Sequence, residues 1–332
     1  MKSVTIPYRQ EDHGDFDAEW PVQRKVTGWW YITGYFSDPD DAGHLYSYQF
    51  TVAKFRLLGF SPWVLHLALT DVQNDKHQFV QRLTFSDPDI YVSEDTVNYL
   101  SLVQLKRETD RMLLTVKTET FDLTLTLDKG KGAFWHANHG VLAMGGEADP
   151  RRRTVYYSYT NMPTRGEVII HDPNGESKTM QVSGKSWFDR QWGPYAKTKV
   201  NTNWEWFSLR FFDDEEVMLF SFPQCSYFDG TYIGSSGDQR RVRDYTITPK
   251  GFTQASGLTF SMGWDLLMPG VKEEKYEIRP LTDGQLNLFY FELIAGIYDS
   301  SGKQVGLCMV ELLPGVRNPQ SKLSPLNLFK KV

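Results

Sequence analysis

Cysteine is nearly missing from this chain. Cys225 and Cys308 are the two in 332 residues, too few and too far apart for a disulfide framework or a zinc-binding set, and both are expected to serve as small buried hydrophobes. No apolar run is long enough to cross a bilayer as a helix, and the opening Met1-Lys2-Ser3-Val4-Thr5-Ile6-Pro7 lacks the apolar core and small-residue cleavage site of a secretory leader. The expectation is a cytoplasmic protein with no membrane span. Charge of one sign is not in excess either: 36 basic and 41 acidic residues leave a formal charge of −5, spread along the chain, which does not suit a phosphate-backbone partner. The basic triplet Arg151-Arg152-Arg153 follows Asp149-Pro150 and reads as a solvated loop. A Gly-rich phosphate loop, a Gly-x-Ser-x-Gly elbow, a His-Glu-x-x-His helix and the nicotinamide and flavin fingerprints are all lacking. Whatever chemistry the chain performs is expected to need neither cofactor nor metal.

Aromatic residues, by contrast, are abundant and bunched. Ten Trp, seventeen Tyr and twenty-one Phe make up 14% of the chain, more clustered than a core alone requires. Between the clusters, alternation with period two dominates. Leu65, Leu67 and Leu69 interleave with His66, Ala68 and Thr70, and Phe121, Leu123, Leu125 and Leu127 interleave with polar residues, as half-buried strands do. Pro173-Asn174-Gly175 and Ser300-Ser301-Gly302 mark hairpin turns. No segment carries a long apolar stripe at helical spacing, so the fold class is all-β.

At roughly 100 to 200 residues per domain the length suits two domains, and a faint internal copy agrees. Trp30-Tyr31 matches Trp206-Phe207, Tyr35-Phe36 matches Phe211-Phe212, and Tyr48 and Phe50 match Phe220 and Phe222. The copies also end alike, on strands bearing Asp189 and Glu311. The expected domains are residues 1–195 and 196–332, with the boundary between Gly193 and Lys199. Gly28-Trp29-Trp30 suits a closed up-and-down barrel, where a Trp plugs one end and the opposite mouth stays open; a pair of β-sandwiches is the plainer alternative.

The densest segment is Gly184-Lys-Ser-Trp187-Phe188-Asp189-Arg190-Gln191-Trp192-Gly193, followed by Trp204-Glu205-Trp206-Phe207. On a strand, Trp187, Asp189 and Gln191 share one face while Phe188, Arg190 and Trp192 share the other. A carboxyl among indoles in a poorly solvated pocket is a credible proton donor; a structural ion pair between Asp189 and Arg190 is the competing reading. Trp135, His136 and His139 lead toward Tyr156-Tyr157-Ser158-Tyr159. His136 is expected to hydrogen-bond or relay a proton, since no third metal ligand has suitable spacing. Leu286 to Ile294 reads as one strand buried on both faces, on which Tyr290 and Glu292 share a side. An inward carboxylate there needs a partner or a task.

These blocks, Gly28-Trp-Trp-Tyr31 with Thr33-Gly34, His139-Gly140, Tyr157-Ser158, Gly184-x-x-Trp187-x-Asp189-x-Gln191-Trp192, Trp204-x-Trp206-Phe207 and Tyr290-x-Glu292, together resemble the carotenoid 1,2-hydratase (hydroxyneurosporene synthase) and AttH-like family, to which kievitone hydratase and lipocalin-like Diels–Alderases are similar. The resemblance spans Gly28 to Glu311. It implies two tandem lipocalin- or calycin-like barrels with a ligand cavity at or between them. It also implies a hydrophobic small-molecule substrate and activities ranging from alkene hydration to cycloaddition. Many members carry His where this chain has Arg190, and a guanidinium does not shuttle protons.

Two functions are expected from this reading. In the first, a lyase or cyclase acts on a terpenoid, carotenoid or polyketide polyene. Asp189, Arg190, Gln191, Glu292 and His136 supply chemistry, and Trp30, Trp135, Tyr157, Trp187, Trp192, Trp204, Trp206 and Tyr290 bind substrate. In the second, the chain is a non-catalytic carrier of an apolar metabolite, and the same aromatics form a cavity wall.

Overall fold

Period-two alternation becomes strand over most of the chain. The computed structural model describes residues 4–12, 15–56, 60–172, 174–195, 203–288, 290–313 and 316–317; Pro173 of one expected turn, and the expected boundary beyond Tyr195, lie outside them. A first sheet runs through β1 (Thr27–Asp38), β2 (Asp41–Lys54), β3 (Trp63–Asp71), β4 (Lys76–Thr84), β5 (Ile90–Val92), β6 (Thr96–Tyr99), β7 (Val103–Arg107), β8 (Arg111–Lys117), β9 (Phe121–Asp128), β10 (Ala133–Trp135), β11 (Val141–Ala143), β12 (Arg153–His171) and β13 (Ser177–Gly193). A second comprises β14 (Glu205–Phe211), β15 (Glu216–Phe222), β16 (Tyr227–Ile233), β17 (Gln239–Val242), β18 (Thr246–Ala255), β19 (Leu258–Met268), β20 (Lys272–Pro280), β21 (Leu286–Asn287), β22 (Tyr290–Tyr298), β23 (Gln304–Leu312) and β24 (Val316–Arg317). Two single 3-10 turns, Pro150–Arg152 and Pro223–Cys225, supply the helical structure among the described residues, and no described helix is long and apolar enough to cross a membrane.

The fold is all-β, two curled antiparallel sheets forming tandem lipocalin-like barrels. The chain sorts into two units. One holds residues 13–134 and 156–194; the other holds 1–12, 135–155 and 195–332. Both units are discontinuous in sequence.

Strand order reveals the internal copy directly. The first sheet runs β4-β3-β2-β1-β13-β12-β9-β8-β7 and the second β17-β16-β15-β14-β23-β22-β20-β19-β18, so β1 corresponds to β14 and β13 to β23. The register differs by one residue from the match of Trp30 with Trp206. Trp30 shares a barrel interior with Trp20 and Trp63, whereas the interior residues of β14 are Phe207, Leu209 and Phe211 and Trp206 points the other way. In a strand a one-residue slip exchanges the faces, so the residue that corresponds to Trp206 is Tyr31. The pairing of Asp189 with Glu311 survives: Tyr31 lies opposite Asp189, and Trp206 opposite Glu311.

Two other expectations change. The run from Leu286 to Ile294 is not one strand. Leu288 adopts φ 56°, and the chain folds back so that Asn287 faces Tyr290 and Leu286 faces Phe291; the left-handed backbone interrupts the alternation. β3 is buried on both faces rather than one, for Val64 and Ala68 are covered along with Leu65, Leu67 and Leu69. β9 does alternate as expected. The hairpins β12–β13 and β22–β23 fall where the turn residues place them.

Trp30 is buried in the first barrel, and Gly28 beside it lets β1 and β13 approach closely: a Cβ there would lie 2.7 Å from the Cβ of Trp192. The interior of the second barrel is apolar around Phe207, Leu266 and Ile278, with the Glu205 carboxyl set beside Trp264 on the same face.

Candidate active site

On the interior face of β13, Met180, Val182, Ser186, Phe188 and Arg190 are buried. Its other face changes character along the strand: Ser177, Thr179, Gln181 and Ser183 are exposed, and then Trp187, Asp189 and Gln191 are buried. Asp189 is therefore a carboxyl on the outward face of its own barrel that is nonetheless removed from water, at 5% exposure.

Three neutral donors reach it among the described contacts. The indole Nε1 of Trp187 donates to Asp189 Oδ1 at 2.6 Å, the hydroxyl of Ser158 meets the same oxygen, and the phenol of Tyr156 donates to Oδ2 at 3.0 Å. Each is fully buried. Adjacent strands supply them. Tyr156 and Ser158 are two residues apart on β12 and share a face, as Trp187 and Asp189 do on β13. An indole N–H has no acceptor capacity, so Oδ1 is committed to accepting. A proton carried by this carboxyl sits on Oδ2, where the Tyr156 hydroxyl can rotate to accept it. The arrangement places Asp189 Oδ2 and the Tyr156 hydroxyl within one hydrogen bond, beside the Trp187 indole.

Tyr156 was not among the residues that the sequence singled out, although its neighbour Tyr157 was. The two point in opposite directions. Tyr157 packs in the barrel interior against Phe16, Phe188 and Tyr159, and burial drives its phenol far above the ordinary range. Period two revealed that Tyr156 pairs with Ser158, but not which face meets Asp189.

Arg190 does not face Asp189 either. It projects into the interior, where its guanidinium lies 4.3 Å from the centre of the Trp30 ring. There it donates to the carbonyls of Trp20 (3.2 Å), Pro21 (2.8 Å), Trp29 (3.2 Å) and Gln191 (3.0 Å). The expected Asp189–Arg190 ion pair is thus replaced by two separate arrangements, because neighbours on a strand leave by opposite faces. Arg190 anchors the segment before β1. Trp30 and Tyr157 share the interior with it, so they do not line the surface that Trp187 lines. Trp192 donates to Glu19 at 2.9 Å. With Gly28, Trp30, Lys54 and Arg190 it borders a crevice of about 10 Å³, room for about one water molecule. Gln191 is buried on the Asp189 face.

The remaining expected residues belong to the other unit. Trp135 lies under Gly140, whose absent Cβ would stand 2.6 Å from the ring. His136 beside it is fully buried, and loss of solvation pushes its ring down to about 3, so it is neutral. Ala137 N–H donates to Thr231 at 3.1 Å, which fixes this turn on β16. Trp204 donates to Glu311 at 2.5 Å, and Trp206, Tyr290 and Glu292 are buried on the face that carries Glu311. The carboxyl of Glu311 is raised by burial, with hydrogen bonds from Trp204 and Glu292 acting against that rise. Nearby, burial also raises Glu205, which faces Ser261 and Trp264. Of the tryptophans that the sequence singled out, Trp30, Trp187, Trp192 and Trp204 are indole donors as well as packing groups.

Two tandem lipocalin-like barrels, each with an indole-capped carboxyl on the corresponding strand, buried at Asp189 and half-buried at Glu311, define the class. The AttH-like family model matches residues 5–315, and the chain belongs to that family. Among solved structures, one assigned to AttH from Nitrosomonas europaea is similar at 21% identity, covering 94% of this chain and 100% of that one with a TM-score of 0.80. Kievitone hydratase from Nectria haematococca is similar at 15% identity, covering 93% and 98% with a TM-score of 0.68. At these identities the likeness speaks for the fold. No curated protein sequence matches the chain.

Proposed function

We propose that this AttH-like protein is a cofactor-independent lyase or cyclase acting on an unsaturated, mostly apolar small molecule such as a terpenoid, carotenoid or polyketide polyene, with Asp189 as its acid–base group. The observation that carries the reading is the buried Asp189 carboxyl, held by Trp187 and Ser158 on one oxygen and facing Tyr156 on the other. Kievitone hydratase, a hydratase by name, shares the double-barrel fold, which favours hydration over cycloaddition.

In the forward step the Oδ2 proton of Asp189 passes to one alkene carbon, and the π bond supplies the electrons of the new C–H bond. The cation left on the other carbon is stabilised by the face of an indole such as Trp187, by about 1 kcal/mol when well placed. Water adds there, and the proton it loses returns to Asp189 through the Tyr156 hydroxyl. In a cyclase, an internal double bond attacks in place of water, and the cation this leaves on the ring is discharged by loss of a neighbouring C–H proton back to Asp189, the electrons of that C–H bond forming the product double bond. Arg190 has no part in the proton transfer: it remains protonated, and its N–H groups are engaged by carbonyls.

The test begins with native mass spectrometry and organic extraction of protein purified from its own host, to identify a co-purifying unsaturated molecule. Asp189→Asn should lower turnover of that molecule by about 10² or more while tryptophan-fluorescence binding persists. Equal turnover in the variant overturns the acid–base role. Tight binding without conversion by the unaltered protein instead supports the carrier.

A further inference from the structure

Glu292 and Glu311 stand directly opposite each other on β22 and β23, a separation at which Cβ atoms lie about 4.5–5.5 Å apart. Both side chains leave the sheet on the face away from Val310 and Leu312 of the barrel interior, so that the two carboxyls meet across the strands, and a hydrogen bond with Glu292 is among the influences on Glu311. Two carboxylates offer only acceptors, so this bond exists only when a proton lies between them. Glu292 is 2% exposed, and a second negative charge there would meet both poor solvation and its neighbour. Glu311 takes one further hydrogen bond, from the indole of Trp204 at 2.5 Å.

We infer that Glu292 and Glu311 hold one proton between them and form a pH-sensitive latch that fastens the entry of the chain into the second barrel. Trp204 immediately precedes β14, and its carbonyl accepts from Leu313 N–H at 2.9 Å just past the end of β23. The indole bond to Glu311 and this backbone bond tie the same two segments together. While the proton is present, β14, β22 and β23 are joined at one end through Trp204, Glu311 and Glu292. When it is lost, the two charges repel across β22 and β23 and that end loosens.

Among the described residues, several groups share the face of the pair. β14 contributes Trp206, opposite Glu311. β22 contributes Tyr290, two residues from Glu292 on the same face, and Gln285 before β21 accepts from the Glu292 N–H at 3.2 Å through its carbonyl. Arg210, the charged residue on that face of β14, lies four residues along, about 13 Å away, where it is paired in register with Glu216 of β15. The direction of the pH effect follows. An acid whose folded-state affinity for protons exceeds that of the unfolded chain contributes stability that is complete below the unfolded value and is lost as pH rises through the folded one. Burial raises Glu311 above the usual carboxyl range, so the latch is closed in mild acid and opens as pH rises above that range.

The experiment is a thermal melt of the full chain across pH, with infrared spectroscopy and tryptophan fluorescence on the same samples. The unaltered protein should show a protonated-carboxyl band that persists above the ordinary glutamate range. As that band fades, the Trp204 emission should shift and the melting temperature should fall by roughly 2–4 °C. Glu311→Gln retains the hydrogen bonding without a titrating group and should take this pair's contribution out of the band, leaving that of Asp189 and Glu205, and remove that part of the pH dependence. Glu292→Gln should do the same, and provides the test if Glu311→Gln does not fold. Trp204→Phe should abolish the fluorescence response while leaving the band. Absence of the band in the unaltered protein, or identical pH profiles for protein and folded Gln variants, overturns the inference. None of these readouts depends on turnover at Asp189.

Discussion

The two barrels build the same strand into different chemistry. On β13 the interior side chain at the end of the buried face is Arg190, a cation held by four backbone carbonyls and one indole face. On the corresponding β23 the interior residues are Cys308, Val310 and Leu312, all apolar. On the outward face, Asp189 is held by an indole and two hydroxyls, whereas Glu311 is held by an indole and a second carboxyl. Topology has been kept while the charged groups and their partners have not, so the shared fold carries no guarantee of shared function. Each solution satisfies a buried charge or dipole, as burial demands, but only the Asp189 version leaves an oxygen facing a hydroxyl that can both give and take a proton.

The sharpest break in this comparison should come from Arg190→Ala. It strips four carbonyls of their donor and removes the plug beside Trp30, and we expect a loss on the order of 4 kcal/mol in denaturant unfolding. Cys308→Ala, in the apolar counterpart, should cost only about 1 kcal/mol. Next in size is Asp229→Ala in the second barrel. Asp229 is fully buried and clamped by Arg241 through Nε at 2.9 Å and Nη2 at 2.7 Å. Its removal should cost about 3 kcal/mol, measured the same way. Gly28→Ala forces a methyl against Trp192 and should lose about 1–3 kcal/mol, with circular dichroism unchanged in shape. Acidification compares the two units through histidine. Burial lowers His136 to about 3 and His66 to about 4 from 6.5. Each folded-state value is depressed, so the neutral ring's contribution is present above 6.5 and declines as pH falls toward the folded value. His136→Gln should therefore flatten the acid side of the stability profile more than His66→Gln does. Asp189→Asn should alter stability by only about 1 kcal/mol, since Ser158 and Tyr156 can reverse their hydroxyls. Phe252→Ser, at an exposed ring, should stay within about 0.5 kcal/mol.

Period two fixed much in advance. The all-β class, the two hairpins and the grouping of Trp187, Asp189 and Gln191 on one face of a strand all follow from local alternation and turn residues, because a strand's side chains take opposite faces wherever that strand lies. Family membership was legible as well, since its Trp-, Asp- and Gln-bearing blocks are local. The repeat was legible as topology but not as register: matching Trp30 to Trp206 followed residue type, and one residue of slip is invisible to composition.

What the tertiary structure alone decided is which face of each strand is covered and which neighbours meet across strands. It set Tyr156 rather than Tyr157 beside Asp189, turned Arg190 into the barrel, broke the Leu286–Ile294 run at Leu288, and brought Glu292 opposite Glu311. Each outcome depends on pairing between strands separated by tens of residues. That pairing is fixed by the packing of the whole barrel, and no window of sequence contains it.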